Sequence, residues 1–148
     1  MTVEPARPED VQGLLPLMRG YCDFYGASPS DRSLERMAKA LIASGEADGM
    51  LLVARGDGGD PVGFAAVGWK WSSLRGARVA VLEDLFVAES TRRHGAGRAL
   101  IDACAERARS HGAPALTWVT ALDNHRAQAL YEAVGANGER WLEYELEL

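Results

Sequence analysis

The sequence predicts a mixed α/β domain: one sheet, mostly antiparallel but with a parallel pair, and helices on both of its faces. Three features predict it. The apolar runs Met50–Arg55 and Val62–Trp71 flank Gly56-Asp57-Gly58-Gly59-Asp60-Pro61, a turn that makes them an antiparallel hairpin. Arg78–Val87, a helix of about Gly95–His111 and Ala115–Thr120 form a strand-helix-strand unit, which needs a parallel pair and a crossover. Two helical stripes precede the hairpin, so the element order is β-α-α-β-β-β-α-β-α-β. The chain has 148 residues, 47% hydrophobic and 25% charged. That composition suits a single domain over residues 1–148, able to bury about 70% of its unfolded surface.

Each element has its own signal. Val3–Arg7 reads as a first strand, and Pro8-Glu9-Asp10 opens a helix with acids near its positive end. Val11, Leu14, Leu15, Met18 and Cys22 form that helix's apolar stripe. Ser28-Pro29-Ser30 breaks the chain. Leu34, Met37, Ala38, Leu41 and Ile42 then line one face of a second helix, which stops near Gly45. Ser72–Gly76 turns into the long strand Arg78–Val87. Leu100, Ile101, Cys104 and Ala108 are the stripe of the third helix. Asp123 or Asn124 caps a fourth, which ends at Gly135. Glu139–Leu148 alternates and reads as a last strand, with Trp141 and Tyr144 as candidate contacts of a homodimer.

Composition narrows the function. A formal net charge of −5 disfavours nucleic acid as a partner and mildly favours a cationic substrate. No apolar run approaches the roughly 20 residues that span a bilayer, and Met1–Asp10 lacks the apolar core of a signal peptide. These features lead to the expectation of a cytoplasmic protein without a membrane partner, with Cys22 and Cys104 reduced. His94, His111 and His125 show no metal-ligand spacing, so no metal is expected.

Three segments carry chemistry. The first is Arg92-Arg93-His94-Gly95-Ala96-Gly97-Arg98, between a strand and a helix. Its glycines let the backbone approach a ligand closely, and the helix start offers unpaired N–H groups to a phosphate. It is not a P-loop, because no Gly-Lys-Ser/Thr follows. It is not the dinucleotide fingerprint either, because Leu100 stands where the third glycine belongs. The second is Val81-Leu82-Glu83-Asp84-Leu85-Phe86-Val87, which sets two carboxylates in an apolar strand. Strand alternation puts Glu83 and Asp84 on opposite faces, where each is either paired structurally or held in a cleft for use. The third is the helix carrying Asn124, Ala127, Leu130, Tyr131 and Val134, in which Tyr131 alone would be read as a core aromatic and Asn124 as a cap.

Together these segments resemble the GNAT superfamily of acyl-CoA N-acyltransferases. The family loop Arg/Gln-x-x-Gly-x-Gly/Ala is matched by Arg92–Gly97, the apolar strand end by Leu85-Phe86-Val87, and the later helix by Asn124, Ala127, Leu130-Tyr131 and Gly135. The match covers about Arg78–Gly135, and within the superfamily it is similar to the diamine, polyamine and D-amino-acid acetyltransferases. Arg93-His94 departs from those relatives, which often carry glycine and glutamine there.

The resemblance implies an acetyl-CoA-dependent N-acetyltransferase with a small-molecule amine as acceptor and direct attack in a ternary complex. It implies that Leu85, Phe86 and Val87 hold the pantetheine arm and that Arg92, Arg93, His94, Gly95, Ala96, Gly97 and Arg98 hold the pyrophosphate. Asn124 would contact the arm and Tyr131 would protonate the departing thiolate. Glu83 is the first choice for the group that takes the amine proton, and Asp84 the second. Tyr21, Asp23, Phe24 and Tyr25 are candidate walls of the acceptor pocket, and Trp69 and Trp71, on one strand face, are candidates for the same cleft or for a dimer interface. A protein lysine or N-terminal acetyltransferase, or a non-catalytic acyl-CoA sensor, are the alternatives on the same fold.

Overall fold

The computed structural model describes residues 1–148. Five strands form one sheet in the order β1-β2-β3-β4-β5, with β1 at Thr2–Pro5, β2 at Gly49–Arg55, β3 at Pro61–Ser72, β4 at Ala77–Val87 and β5 at Leu116–Thr117. The first four run antiparallel, and β5 lies parallel to β4 through Ala80↔Leu116 and Val81↔Thr117 alone. Four helices complete the fold: α1 at Val11–Phe24, α2 at Asp31–Ala43, α3 at Ala96–Ser110 and α4 at His125–Ala133. The fold class is the expected one.

The core has two layers, one on each face of the sheet. Leu14 and Met18 of α1 and Leu34 and Ala38 of α2 pack on Leu51, Val53, Phe64 and Ala66. Leu100, Ile101, Cys104 and Ala108 of α3 pack on Met50, Leu52, Ala65, Val67, Ala80 and Leu82. Covered on both sides, β2 is buried from Gly49 to Ala54. That is why its sequence is a continuous apolar run rather than an alternating one. Cys22 and Cys104 are free and sit in opposite layers, and burial pushes the Cys104 thiol up to about 12. No helix is long and apolar enough to cross a membrane.

Three local expectations are corrected. The fifth strand is only Leu116–Thr117, not Ala115–Thr120, because β5 diverges from β4 after two pairs. Glu139–Leu148 is not a strand: nothing from Asn137 onward makes a backbone hydrogen bond, and every residue there is exposed. Trp69 faces the α3 layer, not the acceptor side. Its ring stacks under the Arg78 guanidinium at 4.5 Å and beside His111 at 5.0 Å, and its N–H donates to the Glu46 carbonyl at 2.8 Å.

Candidate active site

The divergence of β4 and β5 creates the site. Beyond Val81 and Thr117 the two strands no longer pair, so the edge of β4 from Leu82 to Val87 faces a gap instead of a strand. The far wall of the gap is Trp118–Thr120 and α4.

One irregularity in β4 sets the chemistry of this edge. Ala66 pairs with Asp84, but the next residue, Val67, pairs with Leu82, so Glu83 is an extra residue opposite none. This β-bulge breaks the alternation. Leu82 and Leu85 stay on the α3 side, whereas Glu83 and Asp84 both lie on the α1 side. Glu83 Oε1 lies 3.7 Å from the position a Cβ on Gly68 would take on that face, and Asp84 lies against Tyr21 of α1. The opposite-face expectation is therefore wrong: strand period 2 holds only for an unbulged strand.

The two carboxylates differ in environment. Glu83 is exposed, whereas Asp84 is mostly enclosed. Burial raises the Asp84 carboxyl above its ordinary range, and the charge of Glu83 adds to the rise. The neighbouring Tyr21 hydroxyl opposes the rise without cancelling it. The single Tyr21 O–H donates to the Glu83 carbonyl at 3.1 Å, which ties α1 to the bulge. Burial, and then Asp84, push the Tyr21 phenol far above its usual range. Tyr21 and Tyr25 stack at 5.0 Å, and Phe24 meets Tyr25 edge-on at 5.0 Å, so the end of α1 presents an aromatic wall beside the acids.

Tyr131 stands on the other wall. Its ring packs edge-on against Trp118 at 5.2 Å. Burial raises its phenol and the nearby Tyr25 adds to this, while Thr120 pulls the other way. Thr120 Oγ1 is buried and completes no well-formed hydrogen bond, which leaves it free to orient the phenol or a ligand. Thr120 is a candidate site residue that no sequence pattern marked.

The glycine loop lies at the other end of the gap. Arg93 and Gly95 have φ of 70° and 82°, the left-handed conformation, and Gly95 is the N-cap of α3. From Arg93 to Arg98 no backbone N–H donates within the protein, so a row of free donors lies at the positive end of α3. That arrangement fits a pyrophosphate. Arg92 is already engaged: its Nε donates to the Val87 carbonyl at 3.0 Å and its guanidinium lies 5.7 Å over the Phe86 ring, pinning the loop to the end of β4. His94 is exposed, with Nδ1 3.3 Å from the Thr91 carbonyl. Arg98 reaches the Ala133 carbonyl at 3.3 Å and so links α3 to α4. A Cβ on Gly97 would sit 3.1 Å from Leu130 Cδ2. Gly97 thus lets α3 and α4 approach closely, while a Cβ on Gly95 would meet open space. Asn124 Oδ1 caps α4 by accepting from the Ala127 N–H at 3.3 Å, which leaves its amide donors free.

Residues 15–136 match the model of the acetyltransferase (GNAT) family. The chain belongs to the GNAT acetyltransferase family. It is 32% identical over 135 residues to the uncharacterized N-acetyltransferase YhfO of Bacillus subtilis (strain 168), spanning 91% of this chain and 89% of that one. It is 40% identical over 84 residues to the D-amino-acid N-acetyltransferase HPA3 of Saccharomyces cerevisiae (strain ATCC 204508 / S288c), covering 57% of this chain and 52% of the relative. The crystal structure of a probable acetyltransferase superposes with a TM-score of 0.87 at 29% identity, over 100% of this chain and 98% of the other. The aminoglycoside N-acetyltransferase AAC(6')-Iy, solved in complex with CoA, shares the fold with a TM-score of 0.86 at 19% identity, over 99% and 95% of the two chains. The protein is an N-acetyltransferase, an enzyme that transfers acetyl groups to amines.

Proposed function

We propose that this N-acetyltransferase takes acetyl-CoA as its donor and acetylates the primary amine of a small cationic molecule by direct attack in a ternary complex. The observation that carries the reading is the bulge at Glu83. It puts two carboxylates beside an aromatic wall, on one side of a gap whose other side holds a protonated phenol. A cation is attracted by both carboxylates and by the ring faces of Tyr21 and Tyr25.

In this reading the free N–H groups of residues 93–98 hold the pyrophosphate, and the unpaired edge of β4 at Leu85–Val87 holds the pantetheine arm. Asn124 amide donors bind the same arm. The acceptor arrives as an ammonium, since a primary amine has a pKa of about 10.4. Asp84 takes its proton, and the exposed Glu83 holds the cation in place. This exchanges the order of preference that the sequence suggested. A carboxylate whose pKa is raised toward neutrality is the better proton acceptor, and Asp84 is the one so raised. The neutral amine attacks the thioester carbonyl and the C–N bond forms. A backbone N–H on the free β4 edge stabilises the oxyanion. The C–S bond then breaks, Tyr131 gives its proton to the leaving thiolate, and the surplus proton on the nitrogen passes to the tyrosinate, leaving a neutral amide and restoring the phenol.

The test is release of free CoA thiol from acetyl-CoA against a panel of polyamines, D-amino acids, lysine analogues and peptides. Turnover led by a di- or polycation supports the reading. The similarity to a D-amino-acid N-acetyltransferase over 84 residues makes D-amino acids the second arm of the panel. Turnover confined to peptides would favour a protein acetyltransferase, and acetyl-CoA binding without turnover on any amine would favour a sensor.

A further inference from the structure

One buried hydroxyl in the fold has nothing to bond to. Thr120 Oγ1 is shielded from solvent and completes no hydrogen bond. A hydroxyl carries one donor and two acceptor sites, and burying it unpaired is costly, so folded chains rarely do it. Valine would fill the same space without that cost, so the hydroxyl points to a task other than packing. Its surroundings are fixed by α4. The sheet stops holding the chain after Thr117, and Gln128 of α4 takes over just beyond Thr120. Its Nε2 donates to the Ala121 carbonyl at 3.0 Å and to the Leu122 carbonyl at 3.1 Å. The Ala121 carbonyl also accepts from the Asn124 N–H at 3.1 Å. Gln128 and Tyr131 stand three residues apart on α4, on one side of the helix. The helix that carries the phenol thus clamps the backbone next to Thr120. Trp118, two residues before Thr120, meets the Tyr131 ring at 5.2 Å. Thr120 lies beside the Tyr131 hydroxyl and favours its ionisation against the burial that opposes it, yet the bond is not well formed. Hydrogen bonds that serve catalysis are often this loose before the substrates arrive.

We propose that Thr120 is a positioning residue for Tyr131: its O–H donates to the phenol oxygen, turns the phenol proton toward the thioester sulfur, and stabilises the phenolate left when that proton goes. The inference rests on Tyr131 being the proton donor. The protons balance without Thr120 giving one up. The phenol O–H bond breaks as the S–H bond of CoA forms, and the Thr120 proton stays on its own oxygen throughout. The surplus proton of the acetylated nitrogen then restores the phenol. Directing follows from valence: a phenol oxygen that accepts from Thr120 must point its own proton elsewhere. Stabilisation follows from charge. A hydrogen bond to an ionised oxygen is roughly twice as strong as one to a neutral oxygen. The Thr120 bond therefore strengthens as the phenol loses its proton, so it favours the transition state over the bound substrates. An unpaired hydroxyl in the resting enzyme is the counterpart of that arrangement, since the partner it suits exists only during turnover.

Thr120→Val, Thr120→Ser, Tyr131→Phe and the double variant Thr120→Val/Tyr131→Phe test this by thiol release with the best amine, together with calorimetric Kd for acetyl-CoA and Tm. Thr120→Val should lower kcat about 10- to 100-fold, the worth of a hydrogen bond to a charged group. Its Kd should match the parent's, and its Tm should equal or exceed the parent's, because no buried polar atom is left unpaired. Thr120→Ser keeps the hydroxyl and should recover most of the rate. In the Tyr131→Phe background, Thr120→Val should slow the enzyme no further, because no phenolate forms there to be stabilised. Parent-level kcat in Thr120→Val, beside a slow Tyr131→Phe, would overturn the role of Thr120 and leave that of Tyr131 standing. Parent-level kcat in Tyr131→Phe would overturn both. Equal losses from Thr120→Val in the two backgrounds would mean that Thr120 acts on another group, and a weakened Kd that it binds the donor; either would overturn the proposal.

Discussion

Replacing Tyr131 with phenylalanine tests the proton-donor role with the least disturbance. The ring keeps its edge-on contact with Trp118, 5.2 Å between centroids, and only the hydroxyl goes. Thr120 and Tyr25 both act on that hydroxyl, but neither completes a well-formed hydrogen bond to it. Losing the Thr120 contact therefore costs at most about 1 kcal/mol. In a domain of this size that is a fall in Tm of about 2–4 °C. The kinetic expectation is much larger. A general acid contributes about 10²–10⁴-fold, or roughly 3–5 kcal/mol of barrier. A phenol that merely hydrogen-bonds the bound thioester contributes only about 2- to 10-fold. The two roles are therefore separated by at least a factor of ten. Burial, with Tyr25 nearby, holds the Tyr131 phenol above its ordinary range, so it keeps its proton throughout the neutral region and into alkali. Parent kcat should accordingly show no alkaline fall attributable to this group below the ordinary phenol range. The assay is initial-rate thiol release at saturating acetyl-CoA and the best amine, with calorimetric affinity for acetyl-CoA as control. A variant with kcat within about threefold of the parent and an unchanged Kd would refute the proton-donor role and leave Tyr131 as a packing residue.

Asp84→Asn should abolish the acid limb of kcat/KM and lower its value at pH 7 by about 10²-fold or more. Glu83→Gln should mainly raise KM for the amine. It should also shift the acid limb to lower pH, because the Glu83 charge is one of the causes that raise Asp84; a shift to higher pH would assign the limb to another group. Gly97→Ala drives a Cβ to 3.1 Å from Leu130 and should cost about 1–3 kcal/mol of stability. Gly95→Ala instead strains a left-handed cap by about 1–2 kcal/mol. Calorimetry should find that the Gly95 variant loses more acetyl-CoA affinity; equal losses would detach the loop from the pyrophosphate. Glu46 accepts from Arg107, and from His111 at 2.6 Å. Burial pushes its carboxyl up, but these hydrogen bonds outweigh the burial and hold it below the ordinary range. Its contribution to stability is thus present above the unfolded pKa of about 4.3 and is lost as pH falls through the lower folded value. Glu46→Gln should lower Tm at pH 7, with parent and variant converging in acid; a constant difference at every pH would rule out this linkage.

The sequence by itself determined the element order as far as α4, the two apolar layers and the loop Arg92–Arg98. Those depend on local rules: helix stripes such as Leu100, Ile101, Cys104 and Ala108, and glycines at positions that need positive φ. The family was legible for the same reason, because Arg92–Gly97 and Asn124–Tyr131 are contiguous segments. What only the tertiary structure decided depends on two segments at once. The bulge is a difference in count between β3 and β4, so nothing in Val81–Val87 alone says that Glu83 and Asp84 share a face. The close approach of Gly97 to Leu130, thirty-three residues away, could not be read from the loop. Trp69 went to the α3 layer because the Glu46 carbonyl and the Arg78 guanidinium lie there. Glu139–Leu148 has the alternation of a strand and no strand forms within one copy. Side-chain period tells which face of a strand is apolar, but a strand exists only when another backbone accepts its hydrogen bonds.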